Sequence, residues 1–201
     1  MKPNASADAQ APSHAMKVLL LVAGELVFAI IALPLYWFLV LPNHPEGELP
    51  GFSPIIAESA NPLLAVLATL GVLIVALALV LALAWLFGTK HFKVPEFTQL
   101  LDESTNLDLV LIYAAAGFAE EFLFRTVLVD LCGLVIASLL FTAIHVAYWK
   151  KPLLLVDVFL LALLLGALWL YTESLLLCAI AHAAYNLIVS ISLKEGVVSI
   201  Q

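Results

Sequence analysis

Six long apolar stretches follow one another along the chain, separated by short polar segments. They span residues 16–41, 62–87, 107–131, 133–149, 152–171 and 174–193. A helix needs about 20 mostly apolar residues to cross a bilayer. The turns between the last four stretches are short, so neighbouring helices are expected to pack antiparallel. The pattern therefore predicts an all-α, polytopic bundle of about six transmembrane helices.

The segments between and around these stretches predict the organisation of the chain. We expect a disordered cytoplasmic tail at 1–15, two spans and an interfacial segment at 16–106, a four-span core at 107–193 and a tail at 194–201. The interfacial segment has loosely helical apolar spacing, and Pro95 must open or break it. In the first span, we expect Pro34 to kink the helix.

Composition excludes most other classes of protein. The chain has 201 residues, of which 64% are hydrophobic and only 11% are charged, whereas soluble domains have about 25% charged residues. Its 8 basic residues against 15 acidic ones also argue against a nucleic-acid partner. We therefore predict an integral membrane protein, with membrane lipid as its surroundings and no nucleic-acid partner.

The basic residues predict the orientation. Of the eight, only Arg125 falls inside a span, and the other seven fall on one side of the predicted topology: Lys2, Lys17, Lys90, Lys93, Lys150, Lys151 and Lys194. Cytoplasmic loops carry an excess of lysine and arginine. Both termini are thus predicted to be cytoplasmic.

Polar residues lie inside the last four spans, where apolar residues are expected. They are Glu120, Glu121, Arg125, His145, Asp157, His182 and Asn186. Each charge at mid-membrane costs about 2.5–3.5 kcal/mol on insertion scales. Such residues must face the interior of the bundle, and a functional site is the default hypothesis for them.

Spacing divides the two adjacent glutamates into different roles. Glu121 and Arg125 are i, i+4 neighbours on one helical face and can neutralise each other. Glu120 is rotated by about 100°, so Arg125 does not satisfy it, and it is left available as a general base. Upstream, the small residues at 114–117 allow another helix to approach closely.

Two later helices add groups that complete a candidate site. Phe141 and His145 are four residues apart, and so are His182 and Asn186. Three helices can therefore bring a carboxylate, two imidazoles and an amide into one cavity. Counted from the cytoplasmic ends, however, His145 lies only about 6 Å deep, against about 18–20 Å for Glu120 and His182. Tilt, or a longer fourth helix, would be needed to bring the three together.

These three pieces resemble the signature of the CAAX-protease and bacteriocin-processing (CPBP, or Abi) family of intramembrane proteases. The family pattern is E-E-x-x-x-R, then F-x-x-x-H, then H-x-x-x-N or H-x-x-x-D. The chain has EEFLFR at 120–125, FTAIH at 141–145 and HAAYN at 182–186, in that order and on separate spans. The resemblance covers roughly residues 107–193.

The resemblance implies a glutamate-type endopeptidase in a bacterial or archaeal cell membrane. Glu120 would activate water, His145 would help to hold it, and His182 with Asn186 would stabilise the oxyanion. Glu121, Arg125 and Phe141 would support this site. We expect no metal cofactor; the alternative is a zinc site made by Glu120, His145 and His182.

Three hypotheses about the function are open at this point. The first is a peptidase that acts on a membrane-embedded or lipidated peptide or protein, such as a prenylated C-terminus, a secreted precursor or a sorting tail. The second is a non-catalytic bacteriocin-immunity or scaffold protein, and the third is an ion transporter. The roles of Glu25 in the first span and Asp157 in the fifth are not fixed by the sequence.

Overall fold

A computed structural model describes residues 13–45, 48–52, 61–92 and 94–195, and shows them to be almost entirely helical. The predictions for the N-terminal tail up to residue 12 and for residues 196–201 lie outside these ranges. Seven α-helices run in this order: α1 His14–Leu35, α2 Pro62–Phe87, α3 Pro95–Glu103, α4 Asn106–Glu121, α5 Leu134–Ile144, α6 Pro152–Thr172 and α7 Leu175–Lys194.

Two of these helices continue as wider π-helix. After α1, the chain passes Pro34 without stopping and widens over Tyr36–Val40. After α4, it widens over Phe122–Val129, which begins directly after the two adjacent glutamates. Segments of π-helix are rare and are frequent at functional sites.

Four helices are long and apolar enough to cross a membrane: α1 with its continuation to Asn43, α2, α6 and α7. The predicted third span is formed by α4 and its continuation. The number of crossings and the side of the termini stay predictions.

The predicted fourth span, 133–149, is not one continuous α-helix. α5 has 11 residues, so it is only about 16 Å long at 1.5 Å per residue, half the thickness of the hydrocarbon core. It ends at His145, whose ring N–H donates to the carbonyl oxygen of Phe141 at 2.7 Å. In a continuing helix, that carbonyl would accept a hydrogen bond from the backbone N–H of His145. The backbone N–H of His145 instead donates to the carbonyl oxygen of Thr142.

Helix α4 lies at the centre of the bundle, between α1 and α7, while α2 packs on α6 and α7, and α5 packs on α6. The close approach predicted for the small residues at 114–117 is confirmed at Gly117. A Cβ atom there would lie 2.7 Å from the carbonyl oxygen of Ala179 in α7. The absence of a side chain therefore sets the spacing between the two helices that carry most of the candidate site.

A short segment, residues 48–52, closes one end of the bundle, and we call it the wedge. The hydroxyl of Tyr36 donates to the Pro50 carbonyl at 3.0 Å. The Phe52 ring lies against the rings of Tyr36 and Phe122, with centroids 5.7 and 5.2 Å away. Gly51 has φ of +82°, and a Cβ there would lie 2.9 Å from Oγ1 of Thr126, so only glycine fits.

The opposite end is held by polar contacts around α3. Lys17 of α1 bonds Glu103 at 2.8 Å, and His14 contacts Asp108 at 3.0 Å. Lys194 at the end of α7 donates to the carbonyl oxygen of Ser104. This end, which we call the α3 end, therefore gathers the termini of α1, α4 and α7.

Candidate active site

One cavity of about 480 Å³ extends from the middle of the bundle to the α3 end. Four predicted catalytic residues and one supporting residue line it: Glu120, His145, His182, Asn186 and Phe141. Most of the remaining lining is apolar and comes from α2, α3, α6 and α7. The structure thus brings together residues that are distant in sequence, as the motif spacing predicted.

Glu120 presents its carboxyl group to this cavity while remaining almost fully buried, with 8% of its surface exposed. Its buried Oε2 accepts no hydrogen bond from a basic, amide or hydroxyl group in the described part of the chain. Glu120 is therefore a carboxyl group without a cationic partner of its own.

Glu121 points away from the cavity and is fully buried. Its Oε2 accepts from Nε of Arg125 at 2.7 Å, which is the predicted ion pair. Its Oε1 accepts from Nδ1 of His182 at 2.9 Å, a contact that spacing alone did not predict. Glu121 therefore links the arginine of its own helix to a candidate catalytic histidine of α7.

The hydrogen bond of His145 determines which ring nitrogen carries a proton. Its Nδ1 lies 2.7 Å from the Phe141 carbonyl oxygen; because a carbonyl only accepts, Nδ1 must be the donor. In the neutral ring, Nε2 is then the acceptor. The depth mismatch counted from the sequence is removed because α5 is short and ends at His145.

Phe141 packs against both histidine rings. Its centroid is 4.8 Å from that of His145 and 5.8 Å from that of His182. The guanidinium carbon of Arg125 lies 5.2 Å from the centroid of the same ring. Phe141 therefore contacts three of the charged or polar groups of the site and fixes the distance between the imidazoles.

Sequence reasoning missed two polar pairs in the same cavity. The hydroxyl of Tyr185 donates to Asp157 at 2.8 Å, and Tyr113 contacts Ser190 at 2.6 Å. The sequence left the role of Asp157 open, and the structure shows that it is 6% exposed and faces the cavity. Its position as the one acid within the apolar helix α6 was the signal that could have found it.

The zinc alternative does not fit the placed side chains. Within the described ranges, no group of three or more His, Cys, Asp or Glu residues is arranged to hold a metal ion. The Phe141 ring packs against two of the three proposed ligands, His145 and His182. In this arrangement, Glu120, His145 and His182 therefore do not form a metal site.

Comparison with known families matches the part of the chain that holds the site. Residues 102–188 match the family model of type II CAAX prenyl endopeptidases of the Rce1-like kind. The resemblance to this protease family is confirmed. The matched stretch contains Glu120, Glu121, Arg125, His145, His182 and Asn186. Together with the four helices that are long and apolar enough to cross a membrane, this match makes the chain an integral membrane protein.

One similar curated protein is the uncharacterized protein YpbD of Bacillus subtilis (strain 168). It is 39% identical over 74 residues, which are 37% of this chain and 39% of that protein. The chain thus spans less than half the length of the relative it matches. No solved structure matches the chain significantly.

Proposed function

We propose that the chain is an intramembrane endopeptidase that hydrolyses a peptide bond with a water molecule activated by Glu120. The observation that carries this proposal is the division between the two adjacent glutamates. Glu121 is held by Arg125 and His182, whereas Glu120 faces the cavity and forms no salt bridge with any of the described residues. The family match supports a protease role in general.

In this mechanism, Glu120 takes a proton from a water molecule as the oxygen attacks the peptide carbonyl carbon. His145 holds the same water, because its Nδ1–H is occupied by Phe141 and its Nε2 lone pair accepts from the water. Glu120 then returns the proton to the leaving amide nitrogen, and the C–N bond breaks. One water is consumed, and the glutamate ends in its starting state.

The developing oxyanion is stabilised by His182 and Asn186, which lie one helical turn apart on α7 and both line the cavity. An amide donates through its NH₂ group, and an imidazolium donates through Nε2. Glu121 holds the His182 ring through Nδ1 and balances the charge of its imidazolium form. A carboxylate that orients a histidine in this way is a recurring device in hydrolases.

The shape and lining of the cavity favour a substrate that is apolar or attached to the membrane. Apolar side chains from α2, α3 and α7 line the path between Glu120 and the α3 end. A peptide with a lipid group or a membrane-embedded tail can bury its apolar part there, while its scissile bond reaches Glu120. The lipidated, secreted-precursor and sorting-tail substrates all meet this requirement.

Cleavage of a membrane-tethered reporter peptide in proteoliposomes tests the proposal. We expect the wild type to cleave and Glu120→Gln to be inactive with an unchanged melting temperature, because glutamine keeps the shape but not the base. Asp130→Asn is the matched control: it removes an acid of the same membrane segment, paired with His44, and should stay active. Equal activity in the wild type and in Glu120→Gln would overturn the proposal and favour a non-catalytic module.

A further inference from the structure

Asp157 brings to the cavity an acidic group that the proposed mechanism does not use. It is the only acidic residue of α6, and its buried side chain lines the same cavity as Glu120. The hydroxyl of Tyr185 donates to its Oδ2 at 2.8 Å. Its Oδ1 accepts no hydrogen bond from any described residue, and Asp157 forms no salt bridge in that part of the chain. One oxygen of a buried carboxyl group is therefore available to a bound molecule.

The lining of the cavity offers Asp157 no cationic partner. A buried acid in a membrane helix is costly unless a group of opposite charge compensates it. Neither lysine nor arginine is found among the described residues that line the cavity. Of its two histidines, His182 bonds Glu121 and His145 bonds the Phe141 carbonyl oxygen. The described part of the chain therefore provides no cation for Asp157, and a bound substrate can supply one.

The apolar side chains around Asp157 suit the stem of a long basic side chain. Leu154, Val158 and Leu161 lie within four residues of Asp157 along α6, and they line the same cavity. Lysine and arginine bury an apolar stem along such a surface and carry the charge at its end. In a site of low dielectric constant, a cation and a carboxylate attract each other far more strongly than in water. The lining therefore matches both parts of a basic side chain.

The position of Tyr185 places this subsite beside the reacting groups. Tyr185 directly precedes Asn186, the proposed oxyanion donor, and both line the cavity. We propose that Asp157 determines specificity by binding the basic side chain of a substrate residue close to the scissile bond. The inference rests on the proposed function, because it narrows the class of substrate that Glu120 cleaves. That class is a membrane-attached peptide with a lysine or arginine near the cleaved bond.

Matched reporter peptides test this specificity on the unchanged protein. Lysine or norleucine is placed in turn at the two positions on either side of the cleaved bond; norleucine keeps the apolar stem and lacks the amino group. At one of these positions, we expect lysine to raise kcat/KM by about 10–10²-fold, the size typical of a hydrogen bond to a charged group. Equal kcat/KM for both peptides at every position would overturn the inference and leave the peptidase proposal intact.

Removal of the charge from Asp157 identifies the residue responsible. Asp157→Asn keeps the shape and an oxygen that accepts from Tyr185, so we expect the protein to fold and the preference for lysine to disappear. Asp130→Asn is the matched control, because it makes the same change at an acid outside the cavity, paired with His44, and should keep the preference. A merely structural role would lower the melting temperature and the cleavage of both peptides alike. An unchanged preference in Asp157→Asn would therefore overturn the inference.

Binding of uncleavable peptides gives a readout that needs no activity. The same lysine and norleucine peptides are made with a methyl group on the scissile amide nitrogen. We expect the lysine analogue to raise the melting temperature of the wild type more, because a ligand stabilises the folded state that binds it. Equal shifts would overturn the Asp157 subsite. A larger shift with lysine, in a protein that cleaves neither reporter, would support the subsite while overturning the peptidase proposal.

Discussion

Nδ1 of His182 lies 2.9 Å from Oε1 of Glu121, and both side chains are buried. This bond joins α4 to α7 at the level of the cavity. Because Oε2 of the same carboxylate accepts from Arg125, Glu121 compensates the charge of one group while it orients the other. The adjacent residue Glu120 has neither of these partners, and its carboxyl group faces the cavity.

Replacing Glu121 should damage stability first and activity second. Glu121→Gln leaves the buried Arg125 without a counter-charge, and breaking a buried pair costs about 3–5 kcal/mol. We expect a lower melting temperature and weaker expression, with turnover reduced because His182 loses its orientation. Melting temperature and turnover are measured together with those of Glu120→Gln. A well-folded but inactive Glu121→Gln, beside an active Glu120→Gln, would show that the base is Glu121 instead.

Asn186→Ala should affect turnover far more than folding. The side chain is only partly buried and lines the cavity, so its loss leaves little void. As one oxyanion donor, it should contribute about 10²–10³-fold to kcat. Steady-state kinetics and thermal melting of the purified variant check this. A loss of both kcat and melting temperature would instead assign Asn186 a structural role.

Gly117→Ala should destabilise the bundle at the contact between α4 and α7. The added Cβ meets the Ala179 carbonyl oxygen at 2.7 Å, and overpacking of this kind costs about 1–3 kcal/mol. Gly71→Ala in α2 is the matched control, since a Cβ there has no atom within 4 Å. That variant should gain about 0.5–1 kcal/mol, the usual benefit of alanine over glycine inside a helix. Equal melting temperatures for the two variants would contradict the close contact.

Chelation tests the proposed chemistry without changing any residue. We expect turnover in the reporter assay to survive exhaustive treatment with a chelator, because no three His, Cys, Asp or Glu side chains of the described residues converge as a metal site. Metal analysis of the purified protein should find no stoichiometric zinc. Activity that is lost on chelation and restored by added zinc would require a different arrangement of Glu120, His145 and His182.

The parts of the site that sequence could predict are those fixed by local geometry. Helical spacing places Glu121 against Arg125 and rotates Glu120 away, and this pair needs no knowledge of the rest of the fold. The bond from Glu121 to His182 depends on how α4 and α7 pack, and the bond from Tyr185 to Asp157 depends on how α6 and α7 pack. Neither is encoded in a periodicity of one segment.

The same distinction explains the error at α5. Apolar residues continue from Gly133 to Trp149, and hydropathy alone predicts a helix of that length. The end of the helix is set by one side chain, because the ring N–H of His145 bonds the carbonyl of Phe141. A competition between a side chain and the backbone for one acceptor does not alter the hydropathy pattern.

The wedge has a consequence for the order in which the protein is assembled. The Gly51 carbonyl accepts from the backbone N–H of Leu175, the first residue of α7, and Gly51 bridges to Ser174. These partners lie far apart in the sequence, so they do not coexist until synthesis has passed the sixth helix. During translation, the hydrogen bond to Gly51 can form only after Leu175 has been synthesised. Closure of this end is therefore among the late events of membrane insertion.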